Sequence, residues 1–294
     1  NKLWNANNFL IQNKCNLKNS KKLPNLKVNI NKWIYFELLE TSKLIKKNIE
    51  DYRFDEAAKN AYHFAWHKYC DWYLELSKTI LFSDNLKAKN EVKEVSAFVF
   101  RQILIILHPF IPFVTEKIWL INKFDNKNKN FLMLSNWISG KSKKDSDHRH
   151  VQQIIDIISQ IRSFKNELNV SPGSFIDISI NSLRKNNQSF LMKNEIIIKK
   201  LSRINNFFKK DQNKPAASLI ISGDLFKIYF DENVDLNAIK ENLLKRQNKY
   251  KEEMDKISQR LNNKGFIQRA PKDIVQQEKT NYSNLKNDIK KISL

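Results

Sequence analysis

Two imidazoles and a thiol lie close together in this sequence, at His63, His67 and Cys70. Steps of four and three residues place side chains near one face of a helix, so the three could offer a metal ion two ring nitrogens and a sulfur. A closed zinc site needs a fourth ligand, however, and the surrounding Phe64, Trp66, Tyr69, Trp72 and Tyr73 are aromatic groups suited to a core. Packing and hydrogen bonding is the stronger reading, and no metal ligand is assigned. Nucleotide chemistry has no foothold either. Gly140, Gly173, Gly223 and Gly265 stand singly, too sparse for a loop whose backbone cradles phosphates. Cys15 and Cys70 cannot build a disulfide framework and suit a reducing cytoplasm. No catalytic residue is assigned in this chain.

The element that carries the two histidines is the one around which the chain is organised. Arg53 to Ser77 contains neither glycine nor proline, and Asp55 and Glu56 favour a helix start. Ala57, Ala58, Ala61, Phe64, Ala65, Tyr69, Trp72, Tyr73, Leu74 and Leu76 then place apolar groups on more than one face. A helix apolar nearly all round is buried between others, which predicts the central helix of a bundle. Around it, Leu3, Ala6, Leu10 and Ile11 predict a first helix from about Lys2 to Asn13. Asn31 is placed to cap a second, with Ile34, Leu38, Thr41, Ile45 and Ile49 as its inner stripe. Val92, Val95, Val99, Ile103, Ile106 and Leu107 mark a fourth; His108-Pro109 stops it, and Pro112 opens a short fifth through Trp119. Residues 1–125 therefore read as an all-helical bundle.

Residues 126–234 read as a connector and a small α+β domain. Phe131 to Trp137 is an apolar extended connector crossing back over the bundle, and Gly140 to His150 a solvated link. A helix from about His150 to Leu168 follows. Phe175 to Ile180 alternates as a strand, and Ala217–Ile221 and Leu225–Phe230 flank Ser222-Gly223-Asp224 as a hairpin. In residues 235–294 the apolar positions recur in steps of three and four: Ile239, Leu243, Tyr250, Met254, Ile257 and Leu261, then Val275, Tyr282, Leu285, Ile289 and Ile292. Gly265 ends one helix and Pro271 can begin another, so this part reads as an antiparallel coiled-coil hairpin. The fold class is mainly α.

The 294 residues carry a formal charge of +21. That favours a polyanionic partner, nucleic acid above all, although heavy use of lysine, asparagine and isoleucine also follows from an AT-rich genome. No stretch is long and apolar enough to span a bilayer, no signal-peptide pattern opens the chain, and no membrane partner is expected. The first residue is Asn, not Met, and a helical pattern begins at once; the chain reads as a piece of a longer protein.

RFDEAA at 53–58, YHFAWHKYCDWYLELSK at 62–78 and HPFIPFVTEKIW at 108–119 together resemble the helical anticodon-binding domain of class I aminoacyl-tRNA synthetases, and NKLWNANNFL at 1–10 resembles its first helix. NELNVSPG at 166–173, AASLIISGDLFKIYF at 216–230 and KISQRLNNKGFIQRAPKDIVQQEKTNYSNLK at 256–286 resemble the parts that follow in the valyl-tRNA synthetase family, the last being its coiled-coil arm. Isoleucyl and leucyl families share the helical domain. Isoleucyl enzymes often end in a cysteine-based zinc module, which two isolated cysteines cannot build, and the terminal hairpin favours the valyl family.

What the resemblance implies is RNA binding without catalysis. The HIGH-like and KMSKS-like motifs of the catalytic half are absent, and neither His108-Pro109 nor Gly140-Lys141-Ser142 matches them. Adenylation, aminoacylation and editing, with ATP and magnesium as cofactors, then belong to a parent enzyme, and this chain holds no cofactor. The partner implied is tRNA(Val), bound by a monomer in the cytoplasm. In this family the first helix faces the anticodon, so Lys2, Trp4, Asn5, Asn8 and Phe9 are the anticodon candidates, offering a cation, ring faces and amides. For Trp4 and Phe9 the competing role is core packing, and Asn8 stands where relatives often carry arginine. The arm holds the outer corner of the tRNA in this family, and Lys245, Arg246, Lys249, Lys264, Arg269 and Lys272 are its candidate phosphate contacts. A stand-alone RNA-binding coiled-coil protein is the alternative from another class.

Overall fold

With no helix breaker between Arg53 and Leu81, the chain runs helical from Phe54 to Leu81 in a computed structural model of the protein. The structure describes the chain apart from residues 19, 125–130, 141–145, 211–214, 216, 222, 231–235, 264, 266–271 and 292–294; within the last two helices the side chains of 236, 238–240, 242, 243, 246, 272, 273, 284 and 287–291 are likewise left out. The chain divides into two compact units, Asn1–Asp156 and Ile157–Leu294.

The first unit is helical throughout: α1 (Lys2–Gln12), α2 (Asn29–Glu50), α3 (Phe54–His63), a π-helical stretch (Phe64–Tyr73), α4 (Leu74–Leu81), α5 (Leu86–Leu107), α6 (Pro112–Asn122) and the first half of α7 (Ser146–Glu167). A turn of 3₁₀ helix at Leu132–Leu134 buries Leu132 and leads into the expected connector, where Ser42 Oγ donates to the Ile138 carbonyl at 3.1 Å. The central stretch packs between α2 and α5. Trp33, Phe64, Tyr69, Tyr73, Phe100 and Phe124 are fully buried here, each stabilising the fold by about 1.5–3 kcal/mol relative to an exposed ring.

Two expectations for this unit need correction. The central helix is not buried on every side: Tyr62, His63 and His67 are exposed, and it is α5 that is buried almost all round from Val95 to Leu107. Nor does Asn31 cap α2. It lies inside the helix, fully buried, accepting from the Tyr73 hydroxyl at 2.7 Å and donating to Glu91 Oε1 at 2.9 Å. That same Glu91 oxygen accepts from the backbone N–H groups of Lys27 and Val28, both at 2.9 Å, so a carboxylate from α5 satisfies the chain entering α2. Asn85 does cap α5, accepting from the Ala88 N–H at 3.1 Å.

The second unit holds a four-stranded sheet in the order β2-β1-β4-β3, from β1 (Ile176–Ser179), β2 (Ile204–Phe208), β3 (Ala217–Ile221) and β4 (Asp224–Phe230). β1 runs parallel to β2 and antiparallel to β4, in a register that sets Ile176 opposite Phe230 and Ile178 opposite Ile228. β3 and β4 form the expected hairpin, with Gly223 supplying the positive φ of 82° at its turn. β2, the parallel partner of β1, is reached through α8 (Lys185–Lys193) and α9 (Glu195–Ser202), which bury Leu191, Ile198 and Leu201, with α9 packed on β2. The unit ends in α10 (Leu236–Asn262) and α11 (Lys272–Lys291), which pack on each other as a hairpin of two long helices. No helix among the described residues is long and apolar enough to cross a membrane.

Candidate nucleic-acid interface

α1 is amphipathic by simple helical spacing. Ala6, Asn7 and Leu10 are buried, and the side chain of Asn7 accepts from Asn122 Nδ2 at 2.6 Å, which fixes the helix to the end of α6. The opposite face therefore turns outward, and Trp4, Asn5 and Asn8 are all exposed, Trp4 by 41%. One ring and two amides share that face. Phe9 is half-buried, with Lys78 Nζ 5.7 Å from its ring centre. For Trp4 the competing core role does not hold; for Phe9 it holds in part.

Lys2 is not a free cation. Its ammonium lies 2.5 Å from Asp71 Oδ1 and 4.4 Å from the centre of the Trp66 ring. Asp71 Oδ2 in turn meets His67 Nδ1 at 3.1 Å. The start of α1 is thus tied to the outer face of the π-helical stretch. Where α3 runs into that stretch, Tyr62 and Trp66 are stacked, with ring centres 5.0 Å apart and planes at 26°, and His67 stands edge-on to Tyr62 at 6.1 Å. His63 approaches His67 at 5.1 Å, and partial burial together with the neighbouring His67 and Lys68 lowers its pKa below the usual imidazole range.

These surface rings were not among the residues the sequence singled out for RNA. Dense aromatics signal a core, and a 3.6-residue period cannot show that a π-helical stretch lies there. Tyr62, in the last turn of α3, meets Trp66 four residues on and His67 five residues on, just inside the π-helical stretch. The metal reading of His63, His67 and Cys70 gains nothing from the geometry. Burial pushes the Cys70 thiol up to about 11. Among the described residues no group of three His, Cys, Asp or Glu could hold a metal ion.

In the arm, Ile257 is buried and Gln247, Tyr250, Met254, Leu261, Val275, Tyr282 and Leu285 are half-buried, the seam that the three-and-four spacing predicts. Arg260, near the end of α10, meets Glu278, early in α11, at 3.0 Å, as an antiparallel hairpin requires. Lys245 and Lys249 are exposed on α10. Lys264 and Arg269 lie outside the described residues, as do the side chains of Arg246 and Lys272.

A helical bundle with an exposed ring-and-amide helix, followed by a long basic hairpin, has counterparts among known proteins. Residues 31–180 match the family described as the anticodon-binding domain of tRNA ligase, and the chain belongs to that family. Residues 235–293 match the family described as the valyl tRNA synthetase tRNA binding arm. It is 68% identical to a valine–tRNA ligase from Pelagibacter ubique (strain HTCC1062) over 294 residues, all of this chain and 34% of that protein. Valine–tRNA ligases from Bartonella quintana (strain Toulouse) and Zymomonas mobilis subsp. mobilis (strain ATCC 31821 / ZM4 / CP4) are each 32% identical, over 100% and 99% of this chain and 32% and 33% of their own lengths. The chain thus spans about a third of the curated relatives it matches.

Proposed function

We propose that this chain is the tRNA-binding C-terminal portion of a valine–tRNA ligase, acting as a monomer in the cytoplasm on tRNA(Val). The observation that carries the reading is the succession, in one chain, of an anticodon-binding domain and the valyl-type tRNA-binding arm. In this reading residues 1–125 face the anticodon, 126–234 connect, and 235–294 hold the outer corner of the tRNA. Trp4, Asn5 and Asn8 meet unpaired bases by stacking and by hydrogen bonds to base edges, with Phe9 and Lys2 supporting them. Lys245, Arg246, Lys249, Lys264, Arg269 and Lys272 meet phosphates. The parent enzyme joins valine to its tRNA using ATP and magnesium. This reading assigns both to the rest of that enzyme.

The test is binding of labelled tRNA(Val) transcript by fluorescence anisotropy, beside the same transcript with an altered anticodon, together with ATP–pyrophosphate exchange on the purified chain. Preference for the valine anticodon without exchange is expected. Equal binding of both transcripts, or exchange with valine, contradicts the reading.

A further inference from the structure

We propose that the surface where α3 runs into the π-helical stretch, formed by Tyr62 and His63 of α3 with Trp66 and His67 of the stretch, is a second stacking platform for an unpaired RNA base, beside the one on α1. The inference rests on the tRNA-binding reading above and adds a site to it.

Four rings gathered on a surface call for a reason. Scattered exposed apolar residues are ordinary, but Tyr62, 49% exposed, is stacked on Trp66 and flanked by two exposed imidazoles. Every nucleobase offers a π face, so such a surface takes a base of any identity, and its affinity comes from the rings and not from charge.

The platform is also built in advance. Trp66 is held from one side by Tyr62 and from another by the Lys2 ammonium, which Asp71 fixes in turn. Rings locked before the ligand arrives lose little side-chain freedom on binding. The Lys2–Asp71 ion pair at the edge of the indole leaves the platform without net charge there, which suits a polar ligand bound through a π face and argues against an apolar protein partner. Position supports the same occupant: Lys2 belongs to α1, the helix that carries Trp4, Asn5 and Asn8, and its ammonium touches the Trp66 ring. His63, held below the usual imidazole pKa, is neutral at pH 7 and offers a base edge one donor and one acceptor.

The experiment compares the chain with Tyr62→Phe, Tyr62→Leu and Tyr62→Ala for binding to tRNA(Val) transcript between 50 and 200 mM salt (about the range over which phosphate contacts reveal themselves), with thermal melting alongside. Phe keeps the ring and should keep the affinity. Leu keeps bulk without a ring, and it and Ala should weaken binding by about 5- to 100-fold at every salt concentration, with the salt slope unchanged. Wild-type affinity in Tyr62→Leu overturns the platform while leaving the tRNA-binding reading in place, and so does a loss in Tyr62→Leu that comes with a flatter salt slope, the mark of a charge contact. A wild-type chain that does not bind the transcript defeats the tRNA-binding reading, and the platform falls with it.

Discussion

Asp71 holds Lys2 at the edge of the proposed RNA surface, so replacing it separates fold from function. In Asp71→Asn the ion pair with Lys2 and the charged partner of His67 are lost, while an acceptor oxygen of nearly the same shape remains. The side chains of Lys2 and Asp71 are 26% and 42% exposed, which puts the pair with solvent-screened bridges of about 0.2–1 kcal/mol. For a unit of this size that lowers the melting temperature by no more than about 4 °C. The effect on RNA should run the other way. Removing a negative charge roughly 10 Å from a phosphate contributes about 0.4 kcal/mol at water's dielectric constant, close to a twofold gain in affinity at low salt. A released Lys2 that reaches a phosphate adds about 0.7–0.9 to the slope of log affinity against log salt. Anisotropy with labelled tRNA(Val) across a salt series measures the affinity and the slope, and a thermal melt measures the stability change. Weaker RNA binding in Asp71→Asn, or a drop in melting temperature well beyond 4 °C, refutes the reasoning and makes Asp71 a structural anchor.

Trp4→Ala should weaken tRNA binding by about 1–3 kcal/mol with little change in melting temperature, because Trp4 stands on the outer face of α1; a large thermal loss at unchanged affinity contradicts this. Lys245→Gln combined with Lys249→Gln should lower the salt slope of tRNA binding by roughly one to two units without altering the preference for the valine anticodon, since backbone contacts position the RNA and do not read it. Burial pushes the Cys15 and Cys70 thiols from 9.0 up to about 11. Alkylation of the native chain at pH 8 should then be on the order of a hundredfold slower than in denaturant, followed by mass spectrometry. The sign for stability follows: a raised thiol pKa favours the fold fully below pH 9.0, and that contribution is lost as the pH climbs toward 11. Denaturation midpoints that do not fall between pH 9 and 11 contradict it.

Spacing alone determined most of the elements. The apolar steps of α1, α2, α5 and α6, the hairpin around Gly223 and the seam of the arm are all local patterns, and a helix or hairpin forms its backbone bonds within its own few residues. The family motifs lie in the same local stretches, which is why the tRNA-binding character was legible before any contact was known. Contacts between distant residues were not. Asn31 looked like a cap, and only the arrival of Glu91 from α5 and Tyr73 from the central stretch made it a buried member of a polar network. β2 was passed over because its burial alternates poorly and its pairing partner, β1, lies across two helices. Lys2 looked like a free anticodon cation until Asp71 and Trp66, far along the chain, were brought beside it. The rings at Tyr62, Trp66 and His67 sit among dense aromatics that read as core, and only the packing of the neighbouring helices left Tyr62 and His67 facing solvent. Local backbone preference decides where helices and strands lie; which polar groups are engaged and which rings face solvent is decided only when separate elements pack, because burial and pairing are properties of the assembled neighbours.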